Sequence, residues 1–433
     1  MLIILSTLNI VTTQVTLQNE FIYSVGIITK LYRSGGIERV TQLLAEHLNK
    51  EQIKIFLITG EPTEQDYPVP QNVTRLVAFA ENDGNREDAM NEEAKIKTVV
   101  KNKLLLEYAK QYNIQLFVCQ EHWAHGHYET INFLKDHGIK VVAIEHNFFL
   151  FPIHDNREYL YKISQKTYPR LDALVCLSRV DVQLWKHVGV KNAIYIPNIL
   201  TFDPSQIQPA NLQTNKILMV GRFSKDVKQQ HLAIYMMSFL KPLYPNAVLQ
   251  IVGDSSPEYF KECYKQLIRL NVIDNVEFIP FQKNIQEYYK NASVFIMTSK
   301  VEGFPMVLQE AKAFGIPVVA FDLKFCELWQ EGVTTVWQGD VESMAKQVAR
   351  LLKDKELRDQ KGQEARDSLN KFKTVETVKK WVKLIKSIID EDQREIQEMM
   401  ETQEKVTYEH AVDVLKHELN VIGREGYDFG FNQ

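Results

Sequence analysis

The segment Val301–Asp322, VEGFPMVLQEAKAFGIPVVAFD, places Glu302 and Glu310 eight positions apart in a run that is otherwise mostly small or apolar. On one continuous helix they would sit about two turns apart and roughly 80° out of phase, so they would not share a face. Phe304-Pro305 interrupts the run, because proline is tolerated in a helix only at its first turn. The spacing predicts a helix that starts near Pro305 and ends at Gly315, where a left-handed cap suits glycine. Glu302 then lies in the loop before the helix and Glu310 on its second turn. Both can face one ligand held at the helix N-terminus, and IPVVAFD follows as a buried strand.

Read outward from there, the chain repeats that unit. FIYSVGIITKL, IKIFLITG, IQLFVCQ, IKVVAIEH and LDALVCLS read as strands in the first half. KILMVG, AVLQIVGD, NVEFIPF, ASVFIMTS and IPVVAFD do so in the second. Continuous apolar strands alternating with helical patterns indicate parallel sheets covered on both faces. The expected fold class is α/β, with two doubly wound Rossmann-like domains facing across a cleft. YIPNILTFDPSQIQPANLQTN suits a linker between them. The expected boundaries are an N-terminal domain over 1–198 and a C-terminal domain over 199–375. Residues 376–433 then form a helix returning to the first domain and a charged tail. Sheets of this kind bind ligands at the carboxyl ends of their strands.

The bulk composition excludes several classes. A chain of 433 residues with 45% hydrophobic and 24% charged residues is expected to be globular with two domains. Its net charge of −4 argues against a nucleic-acid partner. Cys119, Cys176, Cys263 and Cys326 lie far apart beside apolar runs, as reduced thiols of a cytoplasmic protein do. The opening MLIILSTLNIVTTQVTLQ is a poor signal peptide and too short and polar to span a bilayer. The expected location is the cytoplasm, with peripheral contact to the inner face of the cell membrane as the alternative. No GxGxxG follows the first strand of either half and no GxxxxGK[ST] occurs, which sets aside dinucleotide oxidoreductases and P-loop ATPases.

A helix N-terminus favours an anion, and a phosphate is its natural occupant. In VGRFSKDVKQQ, Arg222 follows a strand and Gly221, and Lys228 lies near a helix start; together they match a diphosphate. A ligand with a central diphosphate and hydroxyl-bearing ends, gripped by two carboxylates, is a nucleotide sugar. Each element has a plainer reading. Arg222 also suits a strand end, Lys228 an exposed surface, Gly35-Gly36 a tight turn and His146 a satisfied core position.

EGFPMVLQEAKAFGIPVV, VGRF…K, RSGGIERV, and LDALVCLS with AIYIPN together resemble the retaining glycosyltransferases of the GT-B fold, family 4 (group 1), over roughly Phe21 to Ile389. The resemblance implies that Arg222 and Lys228 bind the donor diphosphate, Glu310 the ribose and Glu302 the ring hydroxyls of the donor sugar. It places the backbone of Gly303, Phe304 and Leu308 against sugar and phosphate, Gly35 and Gly36 close to the same phosphates, and Gly221 among the donor-binding residues. His146 in AIEHNFF would sit beside the transferred sugar. The Arg–Lys spacing is one residue longer than the family's usual, which keeps Lys225 as an alternative to Lys228. The implied catalytic set is Glu302, His146, Arg222 and Lys228. The donor is expected to be a UDP-linked sugar used without a metal or other cofactor. The acceptor would be a glycan or lipid-linked oligosaccharide of cell-surface polysaccharide synthesis. A nucleotide-sugar 2-epimerase or a non-catalytic sugar-nucleotide-binding subunit is the alternative on the same frame.

Three further segments call for weighing. QEHWAHGHYE gathers His122, His125 and His127, but no carboxylate or cysteine stands at metal-finger spacing, and an acceptor-facing polar loop is the better reading. The single D-x-D, Asp390-Glu391-Asp392, reads as surface charge. AKIKTVVKNKLLLEYAK and KFKTVETVKKWVKLIK are basic amphipathic helices that suit either an anionic membrane surface or packing on a sheet.

Overall fold

The structure, a computed structural model, describes residues 21–29, 32, 35–79, 92–120, 125–329, 331–401 and 406–424. Seven parallel strands form the first sheet: β1 (Tyr23–Ile28), β2 (Ile53–Gly60), β3 (Thr74–Phe79), β4 (Leu116–Cys119), β5 (Lys140–Glu145), β6 (Ala173–Cys176) and β7 (Ala193–Tyr195), in the order β3-β2-β1-β4-β5-β6-β7. Six form the second: β8 (Lys216–Val220), β9 (Val248–Val252), β10 (Val276–Ile279), β11 (Val294–Met297), β12 (Val318–Phe321) and β13 (Val333–Val336), in the order β10-β9-β8-β11-β12-β13. In both, the order reverses beside the first strand, β1 or β8, which is where such sheets open a crevice for ligands. Val25, Ile27, Phe117, Val142 and Val175 in one sheet and Leu218, Ile251, Phe295 and Val319 in the other are fully enclosed, as helices on both faces require.

Every strand that the sequence pattern singles out is present. The strands it passed over, β3, β7 and β13, are all sheet edges. An edge strand packs against one neighbour and needs less apolar surface. β13 buries one residue of four, and β7 has three residues in all.

The helix Thr374–Ile389 packs on the helix Gly36–Lys50 of the first domain. Trp381, Leu384 and Ile385 are buried there, so its apolar face is used in packing. Lys140 donates to the carbonyls of Ile388 and Ile389, both at 2.8 Å. The D-x-D segment beyond is structural: Asp390 accepts from Tyr23 Oη at 2.8 Å, and Asp392 caps the helix Gln393–Glu401 through Glu395 N at 3.0 Å.

The helix Glu92–Gln111 is turned the other way. Asn102, Leu105 and Ala109 face inward, with Asn102 Oδ1 accepting from Thr130 Oγ1 at 2.8 Å, while Ile96, Val99 and Val100 are exposed beside Lys95 and Lys103.

The last described helix, Tyr408–Val421, touches both halves. It packs on the helix Arg179–His187 of the first domain, and Glu418 accepts from the backbone N–H of Lys324, beyond β12, at 2.8 Å. Burial pushes the Glu418 carboxyl up to about 8, against the Lys324 N–H that favours its charged form. A carboxyl whose pKa is raised on folding stabilises the protein below its unfolded value, and that stability is lost as pH rises through the folded value. Stability should therefore fall between about pH 4.5 and 8. In urea titrations, Glu418→Gln is expected to match the parent near pH 4 and exceed it at pH 8 by on the order of 3 kcal/mol. Equal stability at both pH values would show that Glu418 is not enclosed.

Candidate active site

The helix foreseen after Pro305 spans Met306–Ala313, with Pro305 as its N-cap and Gly315 at φ 67° just past its end. It is eight residues long, and its first residue lies at the first residue of the Gly36–Lys50 helix of the other domain: a Cβ on Gly36 would stand 3.9 Å from Met306 Cγ. Two helix N-termini thus meet at the cleft, and both direct partial positive charge to one place. Glu38, in the first turn, folds back so that its carboxylate fills the space a Gly35 Cβ would need. The Leu308 N–H donates to Pro305 O at 3.1 Å, which leaves the N–H groups of Met306 and Val307 as the first-turn donors for an anion.

The loop before that helix forms the seam between the domains. Gly303 pairs with Asn147 in an isolated antiparallel bridge, and a Cβ at Gly303 would lie 1.8 Å from His146 O. Only glycine allows the loop carrying Glu302 to approach the end of β5 so closely. Phe304 and Leu308 turn their side chains inward, Phe304 onto Phe372 with ring centroids 5.5 Å apart. Gln309 ties the interdomain linker to the same helix, accepting from Thr201 N at 3.1 Å and donating to Ile199 O at 3.3 Å.

Lys228 reaches Glu302, Nζ to Oε1 at 2.5 Å, with both side chains largely buried. Its backbone is pinned by Thr298 Oγ1, which donates to Lys228 O at 2.8 Å. Its methylenes lie 3.7 Å from the Cβ position of Gly221, whose φ is 154°. Lys225 instead pairs with Glu262 at 2.8 Å, both exposed. The structure thus puts Lys228, and not Lys225, beside Glu302. Arg222 is exposed after β8, and its guanidinium has no ion-pair partner among the described residues. Glu310 is enclosed and accepts from Tyr289 Oη at 2.8 Å. Burial holds its carboxyl above the usual range, opposed by that hydrogen bond and by Arg39 of the first domain. His146 is buried, with Nε2 2.6 Å from Gln120 Oε1.

Tyr289, Arg39 and Gln120 are the site residues that sequence reasoning passed over. Tyr289 and Gln120 sit in ordinary patterns, and only the folded chain brings them to Glu310 and His146. Arg39 stands inside the quoted RSGGIERV, where its single charge carries no sign of which residue it faces. Of the histidine cluster, His122 lies outside the described residues and His127 is buried. Among the described residues no group of three His, Cys, Asp or Glu side chains is placed to hold a metal ion.

Two family models divide this chain as its two sheets do. Residues 34–200 match Glycosyltransferase Family 4 and residues 203–368 match Glycosyl transferases group 1. The chain belongs to these group 1, family 4 glycosyltransferases, a family of transferase enzymes with the GT-B fold. It is 25% identical over 384 residues to the amylovoran biosynthesis glycosyltransferase AmsD of Erwinia amylovora, spanning 82% of this chain and 97% of AmsD. It is 33% identical over 193 residues to a glycosyltransferase of Haemophilus influenzae, spanning 43% of this chain and 53% of that one. A Streptomyces coelicolor exopolysaccharide phosphotransferase is 30% identical over 228 residues, spanning 51% of this chain and 24% of that one. Among solved structures, Thermosynechococcus elongatus sucrose-phosphate synthase superposes with a TM-score of 0.71 at 17% identity, over 85% of this chain and all of that one. Anabaena HepE, solved with UDP and glucose, gives 0.66 at 15% identity over 84% of this chain and all of that one. These two show the shared fold.

The seam makes a direct test. Gly303→Ala is expected to cost about 1–3 kcal/mol, because the new methyl group must displace the His146 carbonyl. Thermal denaturation reads it as a midpoint lowered by several degrees. An unchanged midpoint would mean the two loops stand apart in solution.

Proposed function

We propose that the chain transfers a hexosyl or N-acetylhexosaminyl group from a nucleotide-diphosphate sugar, UDP-linked, to a hydroxyl of a glycan or lipid-linked acceptor, with retention at the anomeric carbon. The observation that carries this reading is Lys228 held on Glu302 just before a helix whose first residue meets the first residue of the Gly36–Lys50 helix, with Arg222 exposed one residue past the Gly221 on which Lys228 packs. AmsD, named for amylovoran biosynthesis, and HepE, solved with UDP and glucose, point the same way. The comparisons do not favour the epimerase or the binding subunit.

In this reading Glu310 accepts from the ribose hydroxyls and Glu302 from those of the donor sugar. Lys228, already held by Glu302, shares its remaining donors with the diphosphate. The bond from the anomeric carbon to the diphosphate oxygen breaks, and the electron pair leaves with the diphosphate. Arg222, Lys228 and the N–H groups of Met306 and Val307 stabilise that developing charge. The acceptor oxygen bonds to the same face of the anomeric carbon and passes its proton to the departing diphosphate oxygen on that face. His146 lies beside the sugar. With cations and helix ends supplying the positive charge, transfer needs no metal ion, and activity is expected to persist in EDTA.

Purified protein incubated with UDP-, GDP- and ADP-sugars, watched by NMR at the anomeric proton, should release nucleotide slowly from one UDP-sugar and faster once acceptor is added. Glu302→Gln and Lys228→Ala should each lower turnover by on the order of 100-fold, while Lys225→Ala leaves it within a factor of two. Equal losses at Lys225 and Lys228 would overturn the assignment.

The outward Ile96, Val99 and Val100, flanked by Lys95 and Lys103, support peripheral contact with an anionic bilayer. Among the described residues no helix is long and apolar enough to cross a membrane. Flotation with vesicles containing anionic lipid should bring the protein up at low salt, and Val99→Asp with Val100→Asp should leave it at the bottom. Flotation unaffected by that pair of changes would remove the contact.

A further inference from the structure

At the wall of the first sheet, His146 is paired with a side chain that has no part in the chemistry described above. β4 and β5 are parallel neighbours, with Cys119 opposite Ala143, so the residues just past their ends open onto the same part of the cleft. Those residues are Gln120 and His146. Gln120 is wholly enclosed and His146 is 8% exposed. The imidazole Nε2 lies 2.6 Å from Gln120 Oε1. A carboxamide oxygen only accepts, so with Gln120 Oε1 turned to the ring, Nε2 carries the proton and donates. The partner that selects the protonated nitrogen is here a neutral, enclosed side chain.

The backbone of His146 is held by a second, independent constraint. Its carbonyl lies against Gly303 and the next residue, Asn147, bridges to Gly303. The main chain is thus fixed across the seam and the ring is fixed along the sheet. Together they leave the imidazole one orientation beside the loop that carries Glu302.

We propose that Gln120 is a positioning residue for sugar transfer, holding His146 in a single orientation with the proton on Nε2. This rests on the reading of the cleft as a transfer site, with His146 beside the donor sugar. A neutral partner suits that place. Gln120 offers the ring a defined acceptor and itself adds no charge beside the leaving diphosphate.

The test uses the full chain with ¹⁵N-labelled histidine, and His146 is assigned by its loss in His146→Asn. Long-range ¹H–¹⁵N spectra are expected to show His146 protonated on Nε2 in the parent. In Gln120→Leu, which keeps the bulk and removes the acceptor, they should show a mixture of tautomers. Turnover in Gln120→Leu should drop on the order of 10- to 100-fold, with the donor KM within a factor of two and UDP affinity unchanged by calorimetry. Gln120→Glu, which keeps an acceptor oxygen at that place but adds a charge, should hold the proton on Nε2, favour a second proton on Nδ1, and recover only part of the turnover. It also serves where the leucine variant fails to fold. A parent ring protonated on Nδ1, or a leucine variant with unaltered tautomer and turnover, overturns the proposal. A tautomer that shifts in a protein transferring no sugar from any donor would sustain the positioning role and overturn the transferase reading instead.

Discussion

The backbone of Gly303 lies against that of His146 and Asn147, and the cleft takes its geometry from this contact. It is a steric constraint before it is an attractive one, since any side chain at position 303 would collide with a carbonyl. Because the loop is held there, Glu302 stands at the junction of the two sheets, and the helix that follows starts against the start of the Gly36–Lys50 helix. Two doubly wound domains joined by a linker could sit at many angles. The glycine contact, the Gln309 bonds to the linker and the Arg179–Glu327 pair, with Arg179 N to Glu327 Oε1 at 2.8 Å, select one.

That arrangement concentrates unlike demands in one place. The positive ends of two helices, Lys228 and Arg222 call for an anion. The enclosed carboxyls of Glu310 and Glu327, both raised by burial, are expensive to ionise without a partner. In this state Lys228 satisfies Glu302, and Tyr289 satisfies one oxygen of Glu310. The remaining positive charge around Arg222 has no protein counter-ion among the described residues. In the reading proposed above, these groups meet a ligand that is anionic in the middle and rich in hydroxyls at its ends. Recognition of such a ligand requires little rearrangement of the groups that meet it.

Much of this is legible in the sequence wherever the determining information is local. Pro305 and Gly315 punctuate a helix whatever surrounds them, and uninterrupted apolar runs identify the central strands because those are covered on both faces. The edge strands β3, β7 and β13 escape because an edge needs less apolar surface. The pairings Tyr289–Glu310, Gln120–His146 and Glu418–Lys324 escape for a different reason: each joins residues distant in the chain, and the partner is chosen by topology. Gly303 is an intermediate case. A glycine is conspicuous there, but the carbonyl that demands it belongs to the other domain. The Glu92–Gln111 helix is ambiguous in sequence because its apolar residues divide between two faces, Leu105 and Ala109 inward beside Asn102 and Ile96, Val99 and Val100 outward.

The C-terminal helix Tyr408–Val421, resting on the first domain and receiving Lys324 N–H from the second, bears on how far such proteins are modular. Donor-binding and acceptor-facing halves look interchangeable when each is viewed as a separate sheet. Here a recombinant joining this first half to a foreign second half would also have to carry across Gly303, Gln309, Glu327 and an amide at the position of Lys324. Without them the tail helix would present the Glu418 carboxyl to a surface with nothing to donate to it. The unit of inheritance is therefore the half together with its seam.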